Sequence, residues 1–136
     1  MNSLDFTEAI SQVIAKDGRY APAAYDFVRE ALGVAVGHFQ SSNEDQHVTG
    51  QQLLEGVRLH ALNEFGPMAH TTLSLWGIHR GEDVGFIVYN LIDVGYFGRN
   101  DGDSIEDFSG GYDFEEAFVL PFQPNAVQQQ RKSKTQ

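Results

Sequence analysis

The chain has 136 residues, nineteen acids against nine bases for a net charge of −10, and no cysteine. That length suits one domain with one core, burying about two thirds of the extended surface. Disulfides and thiolate metal sites are excluded, no apolar run reaches the ~18 residues of a membrane span, and the acidic start MNSLDFTEAI is unlike a signal peptide. A cytoplasmic protein with no membrane association is expected. The charge is uneven. All nineteen acids lie between Asp5 and Glu116, while Arg131, Lys132 and Lys134 crowd the last six residues, so the body ahead of them carries −13, six bases against nineteen acids. Phosphate neutralisation supplies much of the affinity of nucleic-acid binders. A body this acidic makes nucleic acid an unlikely partner and a basic protein a better one.

The first helix is signalled by Asp5 as cap with Glu8 three residues on, and by Phe6, Ala9, Ile10, Val13 and Ile14 on one face. Gly18 is its expected stop. Pro22 suits the first turn of a second helix striped by Ala24, Tyr25, Val28, Ala31 and Leu32. Gly33 is the expected end, and Val34 to Phe39 reads either as a strand or as more helix. Residues 40–46 (QSSNEDQ) read as a loop.

Thr49 and Gln52 form a capping box for the third helix, with Val48 and Leu53 placed as a hydrophobic staple. It ends at Gly66. Pro67 opens a short fourth helix that Gly77 stops. The fifth runs from Glu82 to Val94, with Val84, Ile87, Val88, Leu91 and Ile92 as its stripe, Gly85 expected at a close helix crossing, and Gly95 at its end. Residues 98–107 (GRNDGDSIED) read as an acidic turn. Beyond it Tyr112, Phe114, Phe118, Leu120 and Phe122 share parity, which suggests a strand beside Gly95–Phe97; Asp113 with Glu116 three later equally allows a helical turn. No repeat is present.

Few residues offer chemistry. His38, His47, His60, His70 and His79 form no HExxH or tight pair, and His60 with Glu64 reads as an i, i+4 surface pair. The Asn100–Asp107 stretch fails as a calcium loop, because its fifth and sixth positions from Asp101 are Ile105 and Glu106. Ser74 lies in no nucleophile elbow, and Glu82/Asp83 reads as a helix start. Trp76 reads as core, with a ligand-stacking platform as the other reading. No catalytic residue, cofactor or metal is implied. The segment that interleaves rings with acids is the candidate interaction site: Asp107, Phe108, Tyr112, Asp113, Phe114, Glu115, Glu116 and Phe118.

Helices followed by a turn-rich hairpin also suit a winged-helix domain, whose helix before the hairpin enters the major groove. Here Glu82 to Glu116 carries ten acids and only Arg99 as a base, so such a surface would bind protein. Phe65-Gly66-Pro67, Trp76-Gly77-Ile78, Glu82-Asp83-Val84-Gly85, Ile87-Val88-Tyr89-Asn90-Leu91 and Asp107-Phe108 with Tyr112-Asp113-Phe114 together resemble a small uncharacterised bacterial domain family over residues 5–120. The resemblance implies a bacterial, single-domain, soluble protein and no mechanism.

The expected fold is therefore a mainly helical α+β domain over residues 1–123, about five helices with a small C-terminal β-hairpin, with a winged-helix-like arrangement as one form of it, then a disordered basic tail over 124–136. The expected function is a non-enzymatic interaction module whose acidic, aromatic C-terminal segment docks a basic partner. The alternatives are a winged-helix-like nucleic-acid-associated factor, or a small-molecule binder or hydrolase with a pocket near Trp76.

Overall fold

The computed structural model describes residues 5–39, 48–98 and 104–124. The loop expected at 40–46, His47, most of the tail, and the Asn100–Asp103 part of the acidic turn lie outside the described residues.

The elements are α1 (Phe6–Lys16), α2 (Pro22–Phe39), α3 (Gly50–Phe65), a 3-10 turn (Gly66–Met68), α4 (Ala69–Leu75), α5 (Gly81–Asp93), a 3-10 turn (Ile105–Phe108), α6 (Phe114–Phe118) and a last 3-10 turn (Leu120–Phe122). Among the described residues there is no β-strand. The expected α+β fold, its hairpin and the winged-helix reading are therefore wrong. The ring parity at 112–122 is produced by helical geometry instead. Asp113 caps α6 by accepting from the Glu116 N–H at 3.1 Å, and Phe114 and Phe118, four apart, both turn inward. The helical turn that the sequence also allowed is the one that forms.

Several starts and stops follow the sequence. The Thr49 hydroxyl accepts from the Gln52 N–H at 3.1 Å, and the Gln52 amide oxygen accepts from the Thr49 N–H at 3.0 Å. Gly66, Gly77 and Gly95 take φ of 52°, 95° and 88° where α3, α4 and α5 end. Others depart from it. Asp5 stands at the α1 cap but makes no side-chain cap bond, and α1 closes at Asp17 without a left-handed Gly18. α2 runs through Gly33 to Phe39, because its buried stripe of Val28 and Ala31 continues at Ala35.

α2 and α3 form the most extensive helix pair. The two helices approach closely at Gly56, where a Cβ would stand 2.6 Å from the Ala31 carbonyl oxygen and 2.8 Å from the Ala35 methyl. α5 packs across α1, α2 and α3, burying Val84, Ile87 and Leu91 completely. The chain then returns over α5 and α3 as the 105–108 turn and α6, which also meets α4. No described helix is long and apolar enough to cross a membrane.

Candidate functional site

The C-terminal segment, residues 104–122, has a seat prepared for it. Gly50 at the start of α3 lies so close that a Cβ would come within 2.7 Å of the Asp107 carbonyl oxygen. Gly85 in α5 leaves room for the Phe108 ring, whose nearest carbon would stand 2.7 Å from an added Cβ. The close crossing expected at Gly85 is thus a helix meeting a ring, not a helix meeting a helix. The Gln51 side-chain amide donates to the carbonyls of Asp107 and Ser109, both at 2.9 Å. The turn's own start is closed by Asp107, whose carboxylate accepts from the Ser104 N–H at 2.9 Å.

Four residues on, the Tyr112 hydroxyl donates to the Leu54 carbonyl at 2.7 Å. Burial, the largest cause, pushes its pKa well above the ordinary tyrosine value, so it stays a donor through the physiological range. Its ring meets Phe114 at 5.6 Å and Phe118 at 5.7 Å, and Phe114 meets Phe118 edge-on at 5.2 Å. These separations suit attractive aromatic pairs.

The predicted site residues therefore separate by chemistry. Phe108, Phe114 and Phe118 are buried at 6%, 5% and 0% exposure, and Tyr112 is half-buried. Asp107, Asp113, Glu115 and Glu116 are exposed, as is Glu106. Asp107 and Asp113 are also used as caps, whereas Glu106, Glu115 and Glu116 take no ion-pair partner among the described residues. The apolar exposure in this segment belongs to Leu120 and Phe122, at 37% and 42%. The sequence offered no cue to that exchange, because all five apolar positions share one parity.

A second polar centre escaped the sequence reading. The linker between α1 and α2 is held to α5 by Asp17, Arg19 and Tyr20. Asp17 takes a two-oxygen contact from Arg19 at 2.9–3.2 Å and a bond from the Asn90 amide at 2.9 Å. The Arg19 bond, foremost, holds its carboxyl far below the usual range, against an opposing desolvation. Asn90 also donates to the Tyr25 hydroxyl at 3.0 Å, and the Arg19 guanidinium lies 4.6 Å from the Phe86 ring centre. Next to it the Tyr20 hydroxyl donates to buried Asp83 at 2.6 Å, and the other Asp83 oxygen accepts from the His79 N–H at 2.9 Å. Burial and then the Asp83 bond raise the Tyr20 pKa. Asp83 is thus a brace as well as a first-turn acid. Residues 73 and 63 positions away supplied no spacing signal for these contacts.

The other candidates resolve into structure. His60 pairs with Glu30 of α2 at 2.9 Å, not with Glu64, and stacks on Phe27 at 5.1 Å. Among the described residues no group of three or more His, Asp or Glu side chains is placed to hold a metal ion. Trp76 packs against Phe27 and Phe65 at 5.7 and 5.6 Å. It lines no part of the described cleft, a hollow of about 210 Å³ between α2, α3 and α5.

In comparisons with protein-family models, with curated proteins and with solved structures, nothing matches this chain.

Proposed function

We propose that the protein is a non-enzymatic interaction module, bacterial and cytoplasmic, whose C-terminal segment docks a basic partner. The observation that carries this reading is the division of labour at residues 104–122: buried rings fix the segment, and Glu106, Glu115 and Glu116, with no ion-pair partner among the described residues, face solvent from it. Exposed Leu120 and Phe122 follow directly in the chain and supply the apolar contact that a docking surface needs. Carboxylates without a described cation partner are available to a Lys- or Arg-rich surface, and steer its approach at low salt. Acid–base chemistry has less support. Asp83, the buried carboxylate, has both oxygens engaged by Tyr20 and His79.

The test is co-purification from the native source with the wild-type chain and with Glu106→Lys/Glu115→Lys/Glu116→Lys. These three positions are chosen because Asp107 and Asp113 are caps, whose reversal would disturb the turn itself. The expected result is a set of basic proteins that weakens with added salt and is lost from the variant. Retention of every partner by a folded variant overturns the reading.

A further inference from the structure

The hollow between α2, α3 and α5 has no role in partner docking as proposed above, and its chemistry is specific. Val28 and Leu32 form one wall, Leu53 a second, and Val88 and Ile92 a third. Phe97 and Phe108 add two rings to the lining. Its polar lining side chains are Thr49 at the start of α3, Asp107 packed beside that start, and Tyr89 of α5. The Thr49 oxygen already accepts from the Gln52 N–H, which leaves its hydroxyl proton to donate elsewhere. One Asp107 oxygen accepts from the Ser104 N–H, which leaves the other to accept. No Lys, Arg or His is among the described lining residues.

We propose that this cleft is a binding site for a small, neutral, ring-sized molecule carrying one hydroxyl. Size sets the class. A cavity near 150 Å³ takes benzene and drug-sized ligands need about 300 Å³ or more, so 210 Å³ suits a molecule of about eight to ten non-hydrogen atoms. Polarity sets the rest. Eight apolar side chains among the described lining residues demand an apolar body. The Thr49 proton and the free Asp107 oxygen together match a hydroxyl, which accepts from one and donates to the other. Charge disfavours anions: a carboxylate ligand meets Asp107, with no Lys, Arg or His among the described lining residues, in a chain of net charge −10. The cleft shares its Asp107–Phe108 wall with the acidic segment, yet binding here requires no protein partner.

The experiment is a titration of the full-length ¹⁵N-labelled chain with 4-methylphenol, and with benzoate as the anion of similar size. The expected result for the phenol is saturable amide shifts centred on residues 48–53 and 88–92, with a dissociation constant of about 1 mM or tighter, and at least tenfold weaker binding of the benzoate. Val88→Phe and Ile92→Phe each fill the cleft from half-buried positions, and each weakens phenol binding by about tenfold or more. Two variants are used so that one misfolded protein does not end the test. Leu75→Ser, on the exposed side of α4, leaves the affinity unchanged. Shifts that rise without saturating or scatter over the molecule overturn the proposal. So does equal binding of the benzoate, or full affinity in folded Val88→Phe and Ile92→Phe.

Discussion

The helical body and the C-terminal segment both bury apolar side chains, but they satisfy their backbones differently. Beyond the first turn of α2, α3 and α5 the N–H groups find carbonyls one turn back, and side chains have mainly to pack. The 104–122 segment has too little regular structure for that. It borrows the Gln51 amide for two carbonyls and gives the Tyr112 hydroxyl to Leu54. Its two short turns are capped by their own Asp107 and Asp113. A body of long helices thus tolerates local change, whereas the segment hangs on a few rings, glycines and single hydrogen bonds. The same contrast explains its surface: Phe108, Phe114 and Phe118 are consumed as anchors, so the carboxylates, with Leu120 and Phe122, are what remains exposed.

The contrast is tested hardest at Phe118, the fully buried ring of α6. Phe118→Ala is expected to cost about 3–5 kcal/mol, lowering the melting temperature by roughly 10 °C or more in calorimetry. A fall of only a degree or two would mean that α6 is not part of the core. Gly50→Ala comes next. The added methyl has to displace the Asp107 backbone, at about 1–3 kcal/mol. Hydrogen exchange should quicken at residues 104–111 while α2 keeps its protection. Uniform quickening would instead make body and segment one cooperative unit.

Tyr112→Phe removes one hydrogen bond and keeps the ring, for about 1 kcal/mol by urea denaturation. No loss would show that ring packing alone holds the segment. The body has its own polar test at Asp17. Its folded pKa lies far below the ordinary 3.8, so the stability it adds is present above that value and fades as pH falls from about 4 toward the folded pKa. Wild type and Asp17→Asn should therefore differ most in melting temperature near pH 7 and converge as acid is added below pH 4. A difference that stays constant over that range would remove Asp17 as the cause.

What could be read from the chain divides along the same line. Thr49–Gln52 and the glycines at 66, 77 and 95 were legible because a cap or a left-handed turn is a local requirement of the backbone. Gly33 misled, since a stop signal inside a helix yields when the buried stripe continues, here at Ala35. The strand at 112–122 misled because period-two parity does not record where a partner strand would come from. Here Gly50 and Gly85 offer the segment a close seat on two helices instead. The rings at 108, 114 and 118 were found as site residues, but their inward direction depends on that seat. The Asp17–Asn90 and Tyr20–Asp83 contacts were invisible, because they join residues 73 and 63 positions apart.

Hydroxyl-radical footprinting, with each phenylalanine compared in the native and the urea-unfolded chain, tests the central division directly. Phe108, Phe114 and Phe118 should be strongly protected in the native chain, while Phe122 reacts nearly as fast as when unfolded. If Phe114 and Phe118 react like Phe122, the rings are not anchors, and the acidic segment is not held in the form described.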